Sequence, residues 1–373
     1  MDQRSEINPF SLLSEAKHLI GGYQKEFASF GALLFLGVFI AFLSLLTSYF
    51  AWVLPFSVAW TIYVITALYI GVESAVKNHG FRVGHSFKEA LNCVYEVMLA
   101  LMIVVLAMLV PIVLWVLTTS DGSVAFMIAM TQDQMGFARI PQYVAYCIEA
   151  IQLAVNLMMF MAILLKSVPF FIFLPELISG KSSLKLPYKE IKDLFIHHLI
   201  RLIRMIIAVI ALFFMPNVLT NIVLDYTDYI LEIEYMLVYL GVISFVLIGI
   251  VVITGTLKII QSAFAVLNVV FDHTNKINYT RHRWNIVLIL LILVSVVGLV
   301  HYTLLNVLLR GQVSQGLDHV IEVSQEQAGI VLLELIGLSF TYVMAFLLWV
   351  VCSYICYRKI TTDVSASEQK ELV

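Results

Sequence analysis

Eight long apolar runs restrict what this chain of 373 residues can fold into. A helix needs roughly 20 apolar residues to cross a hydrocarbon core about 30 Å thick. Lipid offers the backbone no hydrogen-bond partners, so a run that crosses a bilayer must stay helical throughout. We therefore predict an all-α, polytopic membrane helix bundle with eight transmembrane helices. The runs are 27–50, 55–76, 91–117, 143–165, 205–224, 235–257, 284–309 and 329–352.

The composition agrees with a chain surrounded mainly by lipid. Hydrophobic residues make up 61% and charged residues 13%, whereas soluble domains carry about 25% charged residues. No stretch is long and polar enough to predict a separate soluble domain, and the first 26 residues lack the apolar core of a cleavable signal peptide. Four cysteines form no C-x-x-C pair. The sequence predicts no cofactor, no metal centre and no nucleic-acid partner.

The basic residues indicate how the chain is oriented. Of the 22 Lys and Arg residues, all but Arg139 and Arg310 fall in segments that alternate to one side of the eight runs. Cytoplasmic loops retain Lys and Arg during insertion, so this side is predicted to be the cytoplasm, with both termini inside. The short loops and the lack of attached domains favour the bacterial inner membrane.

The chain divides into three predicted segments. Residues 1–26 form a cytoplasmic or interfacial amphipathic helix, residues 27–357 the transmembrane domain, and residues 358–373 a flexible tail. Asn8 and Pro9 are typical of a helix N-cap followed by a first-turn proline. Two interpretations of this helix stay open: an interfacial anchor or partner-binding helix, or a lead-in that packs on the bundle.

An aromatic residue followed by basic and acidic residues recurs in the inner connections. Phe87-Lys88-Glu89 matches Tyr188-Lys189-Glu190, and the third connection keeps Arg283-Trp284 without the glutamate. The recurrence indicates repeated helical hairpins with a basic collar on the cytoplasmic side. Basic residues there attract anionic membrane lipids. The headgroup-binding candidates are Lys181, Lys185, Lys189, Lys192, Arg201, Arg204, Arg281 and Arg283.

Polar residues inside the outer half of the spans are the main functional signal. An ionisable residue at the centre of a span costs about 2.5–3.5 kcal/mol on insertion scales, so it needs a partner or a cavity. We predict an outward-facing vestibule in which the carboxylates bind a cation or proton and the histidine relays it. The alternative is that these groups bond between helices and fix packing. The candidates are Glu149, Gln152, Asn156, His301 and Glu334.

A second set of charged residues lies near the predicted cytoplasmic boundary. Glu73 has Lys77 four residues away on the same helix face. Glu96 has no such local partner, which makes Lys166 and Lys258 its candidates. These residues would form an inner gate of ion pairs or ordinary boundary salt bridges.

Two functional hypotheses follow from these patterns. The first is transport or permeation of a small solute or ion through the outer vestibule. The alternative is a non-enzymatic membrane scaffold, assembly or lipid-organising protein with a basic cytoplasmic collar. An enzyme is disfavoured but left open, because the sequence contains no Walker A loop, G-x-S-x-G or G-x-G-x-x-G motif.

Overall fold

The computed structural model describes residues 8–46, 48–77, 79–119, 142–179, 188–226, 230–271, 283–309 and 325–371. Over these ranges the chain is all-helical, with nine α-helices and a short 3₁₀ helix at Ser48–Val53. The α-helices are α1 (Pro9–Gly22), α2 (Gln24–Leu46), α3 (Leu54–Val76), α4 (Val83–Thr119), α5 (Gln142–Ile178), α6 (Tyr188–Tyr226), α7 (Ile230–Val270), α8 (Arg283–Leu309) and α9 (Gln325–Glu371).

Each of the helices α2 to α9 provides a stretch long and apolar enough to cross a membrane, and the stretch of α3 begins in the preceding 3₁₀ helix. The eight stretches confirm the predicted fold class, and the chain is a multi-pass membrane protein by helix length and composition. The stretches are Gln24–Leu45, Ala51–Val76, Val83–Trp115, Ala150–Ile178, Glu190–Met215, Leu240–Val270, Arg283–Val300 and Leu335–Thr361.

Several helices extend well past the apolar runs that predict them, among them α5 and α7. The fourth run ends at residue 165, but α5 continues through Pro169 and Pro175 to Ile178. The sixth run ends at residue 257, whereas α7 continues to Val270. Residues 171–178 of the α5 extension are buried throughout, and the α7 extension is fully buried at Ile259 and Leu267, as is Phe271 just after it. Tertiary packing therefore extends these helices beyond the length that lipid alone requires.

The described chain forms two compact units. Unit 1 comprises Met1–Leu99, Val168–Ser183 and Thr274–Val373, and unit 2 comprises Ala100–Ser167 and Leu184–His273. Within unit 1, α9 packs against α1, α2, α3 and α8, and its segment 350–357 is buried throughout. The Tyr69 hydroxyl lies 2.6 Å from Ser353 Oγ, and both side chains are inaccessible. This hydrogen bond satisfies two polar groups in the interior of unit 1.

The N-terminal helix α1 packs on unit 1. The Asn8 side chain accepts a hydrogen bond from the backbone N–H of Phe10 at 3.0 Å, which is the predicted N-cap. Leu12 and Ala16 are fully buried, and Glu15 forms a salt bridge with Lys359 of α9. These contacts favour the packing alternative for α1, while an interfacial role stays a prediction.

Phe81 fixes the connection between α3 and α4. Gly80 adopts a positive φ of 80°, a conformation that glycine adopts without strain. This turn directs the Phe81 ring toward Phe27 and Phe30, with ring centroids 5.1 and 5.5 Å away. The same ring lies over Gly71, where an added Cβ atom would come within 1.8 Å of Phe81. The close approach therefore requires glycine at position 71.

Unit 2 is held together by apolar contacts among α5, α6 and α7. Its core includes Val155, Met159, Val209, Ile248 and Val252. A Cβ atom added at Gly249 would lie 2.7 Å from Val155, and one added at Gly255 would lie 2.3 Å from Met205 Sδ. Small residues let membrane helices approach closely, so these glycines set the spacing of α7 from α5 and α6.

Candidate functional site

Three residues of the predicted outer vestibule, Glu149, His301 and Glu334, have side chains outside the described residues. The vestibule therefore stays a prediction. The other two candidates, Gln152 and Asn156, are half-buried on α5 within unit 2.

Asn156 makes a hydrogen bond between helices. The Trp115 indole N–H of α4 donates to Asn156 Oδ1 at 2.8 Å. Trp115 was not among the sequence candidates, because an aromatic residue near the end of an apolar run is also typical of membrane-interface anchoring. For Asn156, the structure favours the packing alternative over a free position in a vestibule.

We expect Trp115→Phe and Asn156→Leu to destabilise the protein non-additively, because each removes the same hydrogen bond. Such bonds between membrane helices contribute about 0.6 kcal/mol on average. Thermal unfolding of both single variants and the double variant in detergent measures the coupling. Additive losses in the double variant would show that this hydrogen bond contributes nothing to stability.

Of the inner charged candidates, two form a salt bridge within one helix, and the others are predicted to pair between helices. Glu73 and Lys77 form a salt bridge one turn apart on α3, with the Lys77 side chain 55% exposed. A pair of this kind on a helix surface is worth only about 0.3–0.5 kcal/mol. Glu96 belongs to unit 1, whereas Lys166 and Lys258 belong to unit 2. The pairing of Glu96 with either lysine stays a prediction.

Lys258 instead lines a cleft between α6 and α7, entirely within unit 2. The cleft has a volume of about 760 Å³. Its residues recur at helical spacing along one face of each helix, which is how two packed helices form a continuous groove. The lining residues are Asp193, Leu194, His197, Arg201, Arg204, Met205 and Ala208 from α6, and Val251, Thr254, Gly255, Lys258, Gln261, Ser262 and Ala265 from α7.

Positive charge dominates this α6–α7 cleft. Arg201, Arg204 and Lys258 are exposed, and Asp193 is the carboxylate among the lining residues. In the part of the chain that the structure describes, none of these three cations forms a salt bridge within 4.0 Å. The His197 Nδ1 atom lies 2.7 Å from the Asp193 carbonyl oxygen, which orients the ring along α6. The cleft therefore presents cationic groups that the described protein does not neutralise.

The residues of the predicted basic collar differ in their burial and contacts, although they share a sequence pattern. Phe87 packs on Phe30 with centroids 5.2 Å apart and accepts a hydrogen bond from the Tyr63 hydroxyl at its carbonyl, whereas Trp284 is 66% exposed. Lys192 is exposed but does not line the cleft, and Arg283 is half-buried. The side chains of four further collar candidates lie outside the described residues: Lys181, Lys185, Lys189 and Arg281.

All three cations of the cleft are candidates from the sequence, but the sequence does not group them in one site. Arg201 and Arg204 are collar candidates, while Lys258 is an inner ion-pair candidate. Asp193 and Thr254 were not singled out. The available signal is the spacing of residues 254, 258, 261 and 265, which places polar and small residues on one face of an apolar helix.

The described part of the chain is a multi-pass helical membrane protein with a basic cleft between two packed helices. Among the residues described, no group of three His, Cys, Asp or Glu side chains is arranged to hold a metal ion. Comparison with protein-family models, with curated proteins and with solved structures finds no match to this chain.

Proposed function

We propose that this protein is a non-enzymatic, lipid-organising membrane protein that binds anionic lipids of the cytoplasmic leaflet. The observation that supports the proposal is the α6–α7 cleft, with its three exposed cations and single lining carboxylate. Each Lys or Arg near an anionic membrane surface contributes about 1 kcal/mol of attraction. Basic pockets between membrane helices on this side are a common arrangement for lipid headgroups.

The position of the cations along the helices supports the cytoplasmic assignment. Arg201, Arg204 and Lys258 lie at the inner ends of the fifth and sixth predicted apolar runs. The concentration of Lys and Arg on this side is the usual signature of a cytoplasmic face. We propose the bacterial inner membrane as the location, since anionic lipids there would supply the ligand.

The lipid that stays with the purified protein tests this proposal. We expect protein purified from membranes of known composition to retain anionic lipid above its share of the membrane. High salt during washing should remove that excess, because it screens exposed charges. The control is the lipid retained by a membrane protein of similar size without a basic cleft. Retention that matches the bulk membrane would contradict the proposal.

Transport through an outer vestibule remains the second candidate function. Gln152 is half-buried on α5 within an apolar span, and Glu149 lies three residues before it in the sequence. Polar residues at such positions are costly in lipid and often mark a permeation pathway. This second proposal predicts that the two outer carboxylates carry the coupled ion or proton.

Glu149→Gln and Glu334→Gln should each reduce proton or cation flux in proteoliposomes by at least tenfold if the vestibule conducts. The matched control is Glu89→Gln, which removes an exposed carboxylate paired with His85 on α4. Flux equal to that of protein-free liposomes in the unmodified protein, or unchanged flux in both variants, would exclude the outer pathway.

A further inference from the structure

We propose that the α6–α7 cleft is a discrete site for one phosphate monoester headgroup carried on a lipid. This inference rests on the proposed lipid-binding function and names the chemical class of its ligand. It differs from a diffuse basic collar, because a discrete site binds one headgroup saturably and through particular residues.

The charge of the cleft matches a phosphate monoester. Arg201, Arg204 and Lys258 face one lining carboxylate, Asp193, so the cleft has a net charge of +2 when His197 is neutral. A phosphate monoester carries about −1.5 to −2 near neutral pH. A phosphodiester headgroup has a single negative charge and leaves one cation of the cleft without a counter-charge. Two guanidinium groups also suit phosphate, because their planar donors match its oxygens bidentately.

The walls of the cleft indicate that the phosphate belongs to an amphiphile. Beside the cations, the lining includes apolar side chains of Leu194, Met205, Ala208 and Val251. Gly255 lets α7 approach Met205 closely, since an added Cβ atom there would lie 2.3 Å from Met205 Sδ. A soluble phosphate ester gains little from apolar side chains in the cleft. The glycerol backbone and the first methylenes of a lipid would bury apolar surface against them.

The α7 side of the cleft adds polar groups at the level of the cations. Thr254 Oγ1 donates to the Ile250 carbonyl at 2.7 Å, so the hydroxyl can still accept a hydrogen bond. Gln261 is exposed one turn beyond Lys258 and carries a carboxamide donor. A protonated phosphate oxygen or a glycerol hydroxyl can pair with Thr254, while Gln261 can donate to the phosphate.

Lys192 provides a matched control on the same helix. It is exposed like Arg201 and Arg204 and belongs to the same predicted collar, but it does not line the cleft. A diffuse collar predicts similar losses for Lys192→Gln and Arg204→Gln. A discrete site predicts a loss for Arg204→Gln alone.

Native mass spectrometry of the full-length protein in detergent tests the assignment. The protein is titrated with phosphatidate, phosphatidylglycerol and phosphatidylcholine, and the bound lipids are counted. We expect one tight phosphatidate per chain, bound at least tenfold more tightly than phosphatidylglycerol. Arg204→Gln and Lys258→Met should each weaken it roughly fivefold, and Lys192→Gln should change it less than twofold. Arg204→Lys keeps the charge but loses the planar fork of donors, so it should retain more affinity than Arg204→Gln, and it shows that the site still folds.

The outcomes of this titration distinguish a failure of the discrete site from a failure of the lipid-binding function on which it rests. If neither anionic lipid binds better than phosphatidylcholine, both proposals fail. If anionic lipids bind but Arg204→Gln and Lys192→Gln lose equal affinity, the lipid-binding function stands and the discrete site is wrong. Equal affinity for phosphatidate and phosphatidylglycerol overturns the monoester preference. Displacement of phosphatidate by an equal concentration of glycerol phosphate overturns the assignment to a lipid.

Discussion

Gly71→Ala is expected to destabilise the protein, although alanine normally favours a helix over glycine by roughly 0.5–1 kcal/mol. The new Cβ atom would lie 1.8 Å from the Phe81 ring, which is itself enclosed by Tyr23, Phe27 and Phe30. Because the Phe81 ring is buried among these side chains, we expect α3 and the connection to α4 to shift apart. Overpacking of this kind typically costs about 1–3 kcal/mol and occasionally more. Thermal unfolding in detergent should show a clear fall in melting temperature.

Gly298→Ala is the matched control for this experiment. Gly298 also lies inside a helix, but an added Cβ atom there meets nothing within 4 Å. It should leave the melting temperature unchanged or raise it slightly. Combining Gly71→Ala with Phe81→Leu should restore part of the lost stability, because the smaller side chain makes room. Equal melting temperatures for Gly71→Ala and Gly298→Ala would contradict the packing of Phe81 on α3.

Replacing Arg201, Arg204 and Lys258 together by glutamine is expected to abolish tight phosphatidate binding. At about 1 kcal/mol for each cation, the triple variant loses about 3 kcal/mol, which is on the order of a 150-fold weaker affinity. Binding by the unmodified protein should weaken as salt rises, whereas the residual binding of the variant should be nearly insensitive to salt. Titration of a fluorescent phosphatidate at several salt concentrations measures both effects.

A second triple variant, the control, removes three positive charges outside the cleft. Lys17, Lys88 and Lys192 are exposed on α1, α4 and α6 and lie outside the cleft. Their joint replacement by glutamine should lower the affinity by less than threefold. If both triple variants lose affinity equally, net charge rather than the α6–α7 cleft determines lipid binding.

The eight-span architecture could be predicted from the sequence because lipid imposes a single local rule. Every apolar run must be helical and about one bilayer long. The rule does not fix where each helix ends. The helices α5 and α7 continue to Ile178 and Val270, and residues there are buried against other parts of the protein.

The cleft could not be predicted to the same extent, because it depends on how two helices are rotated toward each other. From the sequence, Lys258 is a candidate for an ion pair near the end of an apolar run, and Arg201 and Arg204 are candidates for headgroup binding. The sequence does not show that Gly255 packs on Met205, the contact that brings these faces together. Similarly, Phe87 and Trp284 follow one sequence pattern but have different surroundings, since Phe87 packs on Phe30 whereas Trp284 is 66% exposed.

Photo-crosslinking with a phosphatidate analogue tests the central claim most directly. The analogue carries its reactive group close to the phosphate, and the adducts are located by mass spectrometry after proteolysis. The account predicts adducts concentrated in residues 193–208 of α6 and 251–265 of α7, and lost in the variant with Arg201, Arg204 and Lys258 replaced. Adducts of equal yield in that variant, or spread over lipid-facing positions such as Leu153 and Leu299, would contradict it.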